Sequence, residues 1–335
     1  MRNDFGVDQA DGLRRLLVNE QTRVITLAAG KAGVGRTSVA INLAAALARS
    51  GKDVLVLDEN AAPNNVLDRL GLYARHDLLD VAQGQCKIGL AMLEAGGFSV
   101  LPTARTLCAL AATVAQRGRT SERGIASGEP SAGSGILGLV QTFAGASLDQ
   151  AGQQRLESAL AEVAGGVDVM LVDAAARPGA VLPVTRGAAI LVVVDATASG
   201  ITESYALIKR LALESARLQF EIVVNKVAGE QSARTVFDNM AKLARRDLAA
   251  RLEYLGCIPQ DDRMQRATQL GKSVVEAFPA AVSAQAYVGL AHKLLLMPVC
   301  RDEAEGTGRS VMRDLMKPAS HSQQRYSREI EPVVN

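Results

Sequence analysis

The stretch AGKAGVGRTS, residues 29–38, is the feature around which this 335-residue chain is organised. It follows an apolar run, Val24–Ala28, and leads into a segment rich in Ala and Leu. Strand, glycine loop and helix in this order are the context of a phosphate-binding loop, in which backbone amides and a helix N-terminus attract an anion. The spacing of Gly30 and Gly35, followed by a basic residue and a threonine, is typical of that loop, although Arg36 stands where a lysine is usual.

The composition limits the class of protein. Apolar residues make up 48% of the chain and aromatic residues only 3%, so the core must be built from Ala, Val and Leu, as in layered α/β proteins. A net charge of +2 is too near balance to predict a surface for direct nucleic-acid binding. The four scattered cysteines predict free thiols in a reducing compartment. Since the chain has neither a signal core nor an apolar run of about 20 residues, we expect a cytoplasmic protein that is at most peripheral to the cell membrane.

Alternating strand and helix patterns predict the fold. Helical patterns cover residues 37–48, 147–163 and 286–296. Apolar runs that predict buried strands lie at residues 24–28, 53–58, 98–102, 167–173, 189–195, 220–225 and 255–259. We therefore predict one doubly wound α/β domain over residues 22–298, with a mostly parallel sheet and helices on both faces. The Gly- and Ser-rich residues 117–135 are predicted to form a flexible surface insertion in this domain.

The two ends of the chain lie outside the predicted domain. Residues 1–20 form an N-terminal arm in which a short helix could begin at Asp8. Residues 299–335 form a charged tail, and apolar residues recur at helical spacing within 309–317. That pattern is typical of a short amphipathic helix on an anionic membrane, but an unstructured tail with chance spacing fits it equally well.

Polar side chains at the ends of the predicted strands indicate a ligand site. In open parallel sheets, ligands bind at the carboxyl ends of the strands, where Asp58, Asp173 and Asn225 are expected. A divalent metal held against phosphate oxygens needs carboxylates at this edge, and Thr37 supplies a hydroxyl at the end of the loop. We therefore predict a Mg²⁺ site formed by Thr37, Asp58 and Asp173.

Lys31, directly after the first glycine of the loop, is the most specific residue of the motif. It makes the loop similar to the deviant Walker A motif of the MinD/ParA family of ATPases, although Ala32 replaces a usual glycine. The resemblance implies a nucleotide-dependent homodimer in which Lys31 reaches the partner's ATP, and an adenine contact by Asn225. The implied nucleotide-binding residues of the loop are Gly30, Lys31, Ala32, Gly33, Val34, Gly35, Arg36, Thr37 and Ser38.

Within that family, further stretches resemble the FlhG (also FleN) regulators of flagellar number. The matching stretches are residues 8–16, 201–209, 254–259 and 274–279. The resemblance implies ATP and Mg²⁺ as cofactors, reversible membrane attachment through the tail, and a flagellar transcriptional activator as one partner. It also implies that the arm docks on FlhF, a signal-recognition-type GTPase, and stimulates its hydrolysis. Gln9 is the residue expected to act there, because a glutamine amide can orient a water, with Asp8, Leu13 and Arg14 beside it.

Three positions depart from the catalytic pattern of that family. Arg36 replaces the lysine, Asn60 replaces the second acid of an Asp-x-Asp motif that begins at Asp58, and the turn that ends at Arg177 has no glycine. Of the expected catalytic residues, Lys31, Asp58 and Asn60, the last can hold a water but cannot accept its proton. We therefore predict that ATP is bound but that its hydrolysis is weakened.

Two alternatives stay open at this point. One is a MinD/ParA-type ATPase that positions another cargo, against which the arm around Gln9 argues. The other is an interaction scaffold whose loop no longer holds a nucleotide. A metabolic enzyme is disfavoured, since the sequence shows no His, Cys or Ser arrangement with nucleophile spacing.

Overall fold

The structure, a computed structural model, describes residues 22–63, 65–106, 149–175, 189–215, 218–248 and 250–297. The predicted arm, insertion and tail therefore lie outside the described residues. So do Arg177 and two of the four cysteines; the described cysteines, Cys86 and Cys257, are unbridged.

The described residues form one eight-stranded sheet. Its strands are β1 (Arg23–Ala28), β2 (Val54–Asp58), β3 (Leu93–Ala95), β4 (Phe98–Pro102), β5 (Val169–Asp173), β6 (Ala189–Asp195), β7 (Gln219–Val227) and β8 (Arg251–Pro259). Their order in the sheet is β3-β4-β2-β5-β1-β6-β7-β8. All neighbouring strands are parallel except β3 and β4, which form an antiparallel pair. The prediction of a doubly wound, mostly parallel sheet is confirmed.

Helices cover both faces of the sheet. One face packs against α1 (Arg36–Arg49), α2 (Val66–Leu70), α8 (Asp262–Gln269), α9 (Val274–Ala277) and α10 (Val282–Leu296). The other face packs against α3 (Leu78–Ala82), α4 (Ile88–Ala91), α5 (Gln150–Ala164), α6 (Ala198–Ser215) and α7 (Glu230–Leu248). Within the described part of the chain, no helix is both long and apolar enough to cross a membrane.

Helix α1 connects the glycine loop to the core. Its residues from Val39 to Leu47 are buried, because Ala and Leu dominate the segment and let the helix lie close to the sheet. The buried Asn42 is a polar exception whose amide nitrogen donates to the carbonyl oxygen of Ser38 at 2.7 Å. Its amide oxygen accepts from the backbone nitrogen of Val274 at 2.6 Å, so α1 holds the start of α9 in place.

Candidate nucleotide-binding site

The glycines of the loop between β1 and α1 serve two purposes. Gly33 and Gly35 have φ angles of 83° and 96°, which L-residues with side chains rarely adopt. Gly30 is required for another reason, because a β carbon there would overlap the backbone carbonyl group of Glu203 in α6. The first glycine therefore lets the loop lie against α6, and the later ones turn the chain into α1.

The carboxyl end of β7 braces the loop from the other side. The Asn225 amide nitrogen donates to the carbonyl oxygen of Val34 at 2.8 Å, and Lys226 Nζ donates to that of Gly33 at 2.6 Å. A β carbon on Gly35 would overlap the Asn225 amide. Lys226 itself has a φ of 58°, at an irregularity of the sheet register. The loop conformation is thus tied to the end of β7.

Lys31 lies against its own chain. Its Nζ donates to Ser199 Oγ at 2.7 Å and Thr197 Oγ1 at 3.3 Å, and lies 3.7 Å from Asp195 Oδ2. These groups lie at the end of β6 and the start of α6. A role in a partner's site therefore requires that Lys31 leave them.

Arg36 and Asn60 join the loop to the two acids at the strand ends. Arg36 Nε donates to Asp173 Oδ1 at 2.6 Å, and its Nη2 donates to Asn60 Oδ1 at 2.6 Å. The Asn60 amide nitrogen donates to Asp173 Oδ2 at 2.8 Å, to the Asp173 carbonyl oxygen at 2.9 Å and to Asp58 Oδ1 at 3.2 Å. Since Asp58 and Asp173 are register partners on β2 and β5, the sheet brings their carboxylates together.

Asp58 is a buried acid at the end of β2. Its Oδ2 accepts from the backbone nitrogen of Val66 at 2.8 Å, and its Oδ1 accepts from that of Asn60 at 3.1 Å. Burial, and then the nearby charge of Asp173, raise the pKa of Asp58 to about 6. Its neighbour Glu59 is also buried and accepts from the backbone nitrogen of Ala175, in the turn after β5, at 3.1 Å.

A family model for the CobQ/CobB/MinD/ParA nucleotide-binding domain matches residues 25–274. The chain belongs to this family. The match includes the glycine loop, the strand ends at Asp58, Asp173 and Asn225, and the start of α9. The expected MinD/ParA membership is confirmed.

Individual relatives specify which members of the MinD/ParA family this chain resembles. The chain is 31% identical to the antiactivator FleN of Pseudomonas aeruginosa over 280 residues, 83% of this chain and 88% of that protein. It is 25% identical to the flagellum site-determining protein YlxH of Helicobacter pylori over 73% of this chain and 72% of that protein. The solved structure of the septum site-determining protein MinD from Pyrococcus horikoshii, complexed with Mg-ADP, matches with a TM-score of 0.52 at 20% identity, covering 82% of this chain and 96% of that one. The resemblance to the FlhG/FleN regulators is confirmed, and the likeness to MinD shows the fold.

The oxygen donors expected for Mg²⁺ meet at this site. Thr37 Oγ1 donates to Asp173 Oδ2 at 2.7 Å, and Asp58 lies beside Asp173 in the sheet. A hydroxyl and two carboxylates are ligands of the kind that Mg²⁺ prefers, so the donor set fits the ion chemically. In the described ranges, no group of three or more His, Cys, Asp or Glu side chains could hold a metal.

The remaining loop residues lie around the same site. Ala32 is exposed and Val34 is buried, whereas Ser38 Oγ accepts from Arg69 Nη1 at 3.2 Å. The structure thus brings the predicted loop residues together with Asp58, Asn60, Asp173 and Asn225. The predicted partner-binding residues, Asp8, Gln9, Leu13 and Arg14, lie outside the described residues.

Five residues at the site were not predicted from the sequence. They are Asp195, Thr197 and Ser199, which contact Lys31, and Lys226 and Arg69, which contact the loop. Asp195 ends an apolar strand, as Asp58 and Asp173 do, so that signal was present in the sequence. Nothing in the local pattern identified the others, because their partner lies far away along the chain.

Proposed function

We propose that this chain is an ATP-binding regulator of flagellar number or placement that acts on an FlhF-type GTPase through residues 1–20 and hydrolyses ATP slowly. The observation that carries the proposal is the convergence of the braced glycine loop, Lys31 and the Asp58–Asp173 pair at one sheet edge. The kinship with FleN and YlxH supports the flagellar part of the proposal.

The side chains of the site have distinct roles in this proposal. The loop amides and the N-terminus of α1 hold the phosphates, and Arg36 adds a permanent positive charge. Thr37, Asp58 and Asp173 would hold Mg²⁺, which screens phosphate charge when bound. The Asn225 amide retains one hydrogen and one lone pair beyond its contacts with the loop and Lys226, which leaves it able to contact adenine.

Asn60 supports slow hydrolysis. Its amide oxygen accepts from Arg36, and its amide nitrogen donates to Asp58 and Asp173. With both ends of the amide engaged, the side chain is poorly placed to orient an attacking water, and it has no carboxylate to accept a proton.

The catalytic part of the proposal is tested by measuring ATP binding and hydrolysis side by side. We expect the purified chain to bind ATP, and the double variant Arg36→Lys, Asn60→Asp to hydrolyse it at least about tenfold faster, because a general base is restored. Turnover that is unchanged in the double variant would contradict weakened hydrolysis at these positions. Absence of ATP binding in the wild-type chain would favour the alternative of an interaction scaffold whose loop no longer holds a nucleotide.

The proposed role of Lys31 in the partner's site is tested by its effect on dimerisation. The variant Lys31→Ala should lose ATP-dependent dimerisation in sedimentation experiments. Its free energy of unfolding should change by less than about 1 kcal/mol, because the ion pair with Asp195 is partly exposed. A dimer that forms equally well without Lys31 would refute the role in a partner's site.

The proposed action on an FlhF-type GTPase is tested by measuring how far the chain stimulates GTP hydrolysis. The full chain should accelerate GTP hydrolysis by an FlhF-type GTPase, and Gln9→Ala should abolish this effect while Gln21→Ala, just outside the arm, keeps it. If the Gln9→Ala chain stimulates the GTPase as well as the wild type does, another cargo becomes the better proposal.

A further inference from the structure

We propose that the Arg36 guanidinium, held between Asp173 and Asn60, supplies charge that Mg²⁺ would otherwise provide, so that nucleotide binding by this chain depends little on Mg²⁺. The inference rests on the proposed nucleotide binding and concerns how that same site balances its charge.

Arg36 is a fixed and permanent cation at this position. Its side chain is only 10% exposed, and its Nε and Nη2 each donate a hydrogen bond of 2.6 Å, to Asp173 and Asn60. A guanidinium stays protonated at any pH at which a protein is folded. Of its five N–H donors these contacts use two, so three are left for phosphate oxygens. A lysine ammonium has three donors on one nitrogen, so one that served the same two acceptors would keep only one donor for phosphate.

The carboxylate that Mg²⁺ would use already accepts three hydrogen bonds, which occupy three of its about four acceptor positions. Asp173 Oδ1 accepts from Arg36, and Oδ2 accepts from Thr37 Oγ1 at 2.7 Å and from Asn60 at 2.8 Å. A metal ion, or a water bound to it, must therefore compete with these donors for Asp173, and it can reach Oδ2 only by displacing Thr37 or Asn60. The buried, charge-assisted bond from Arg36 is the most costly of them to break.

The charges of the cluster also favour nucleotide binding that depends little on Mg²⁺. Asp58 and Asp173 carry the negative charges of the cluster, Arg36 offsets one of them, and Asn60 adds none. An acid at position 60 would make the cluster more negative and more attractive to a dication. As it stands, the cluster attracts Mg²⁺ less and tolerates a polyphosphate anion better.

The test is calorimetric titration of the full chain with ATP, once in excess Mg²⁺ and once in excess EDTA. We expect dissociation constants that differ by less than about threefold for the wild type. For Arg36→Lys we expect EDTA to weaken binding about tenfold or more, because an ammonium that serves Asp173 and Asn60 keeps only one donor for phosphate. Arg246→Lys, an exposed substitution of the same kind on α7, is the control and should behave like the wild type.

The second variant keeps Arg36 and changes the charge around it. Asn60→Asp should acquire a Mg²⁺ dependence of about tenfold or more, with circular dichroism melting used to show that it is folded. An unchanged ratio in this folded variant would overturn the charge argument.

The outcomes separate the inference from the proposed function. Wild-type binding that is tight in Mg²⁺ and about tenfold or more weaker in EDTA overturns the inference but leaves ATP binding intact. No binding heat in either buffer refutes the proposed function and the inference with it.

Discussion

At Gly30 the loop approaches helix α6 so closely that no side chain fits between them. A β carbon there would overlap backbone atoms of Glu203, which cannot move without shifting the helix. Gly33 presents the opposite case, since a β carbon would meet nothing within 4 Å and only its φ of 83° favours glycine. The glycines of one motif are thus required for different physical reasons, and only the structure distinguishes these reasons.

The variant Gly30→Ala tests this close approach. We expect it to lower the free energy of unfolding by about 1–3 kcal/mol, because the added methyl group forces the loop away from α6. Gly289→Ala is the matched control: its site in α10 is open, so the change should stabilise the chain by up to about 1 kcal/mol. Urea denaturation measures both, and a Gly30→Ala chain as stable as the wild type would show that the loop can move freely.

At the scale of elements, α1 transmits the loop geometry to the core. Leu43 of α1 is fully buried, whereas Leu213 of α6 is 70% exposed. The helix that presents the loop is therefore also one of the main packing elements of its face of the sheet.

Leu43→Ala on α1 and Leu213→Ala on α6 form a matched pair of variants that tests this packing. The first should cost about 2–5 kcal/mol of stability, because it leaves a cavity in the core between α1 and the sheet. The second should cost less than about 0.5 kcal/mol, because its side chain is already in water. Chemical denaturation monitored by circular dichroism compares them, and equal losses would contradict the packing described for α1.

Strand β7 carries a buried acid that makes stability depend on pH. Burial raises the pKa of Glu221 above its ordinary value of 4.5, with the charge of Glu253 adding to the effect. Between the ordinary and the raised value, the folded chain retains a proton that the unfolded chain has lost. The contribution of Glu221 to stability therefore falls as the pH rises through that interval.

The variant Glu221→Gln removes this dependence. We expect it to be more stable than the wild type at about pH 8 and nearly equal to it at about pH 4, since glutamine keeps the shape without ionising. Urea denaturation at both pH values measures the difference. The exposed Glu162→Gln on α5 is the control and should show no such pattern; a Glu221→Gln chain less stable than the wild type at high pH would show that the carboxylate has a compensating partner.

At the scale of the whole molecule, the candidate site joins elements from across the sheet. The loop touches α6 through Gly30 and β7 through Asn225, while Arg36 reaches the ends of β2 and β5 through Asn60 and Asp173. A ligand held by this loop should therefore stabilise the fold as a unit rather than one segment of it.

A thermal melt tests this coupling. At an ATP concentration about 100 times its dissociation constant, the folded state should gain about 2.7 kcal/mol, which raises the melting temperature by about 4 °C for a chain of this size. Adenosine, which has no phosphates, is the control and should leave the melting temperature nearly unchanged. An equal shift with adenosine would show that the phosphates are not the groups being bound.

The sequence by itself determined the sheet, the loop and the family. Apolar runs predicted β1, β2 and β4 to within a residue or so, because buried parallel strands need apolar side chains on both faces. Helical patterns predicted α1, α5 and α10, but β3 and the other seven helices of the described residues were not predicted from the sequence. The assignments of individual residues to nucleotide, metal and partner remain predictions.

The sequence placed Asp58 and Asp173 at one edge of the sheet, but the tertiary structure alone decided which side chains contact one another. Asp58 faces Asp173 because β2 and β5 are neighbours in the sheet, although they are far apart along the chain. Arg36, read from the sequence as a replacement for lysine, is in the fold a donor to both Asp173 and Asn60. Local patterns record burial and backbone preference, which act over a few residues. Partners across a sheet edge depend on strand order, which only the packing of the whole chain selects.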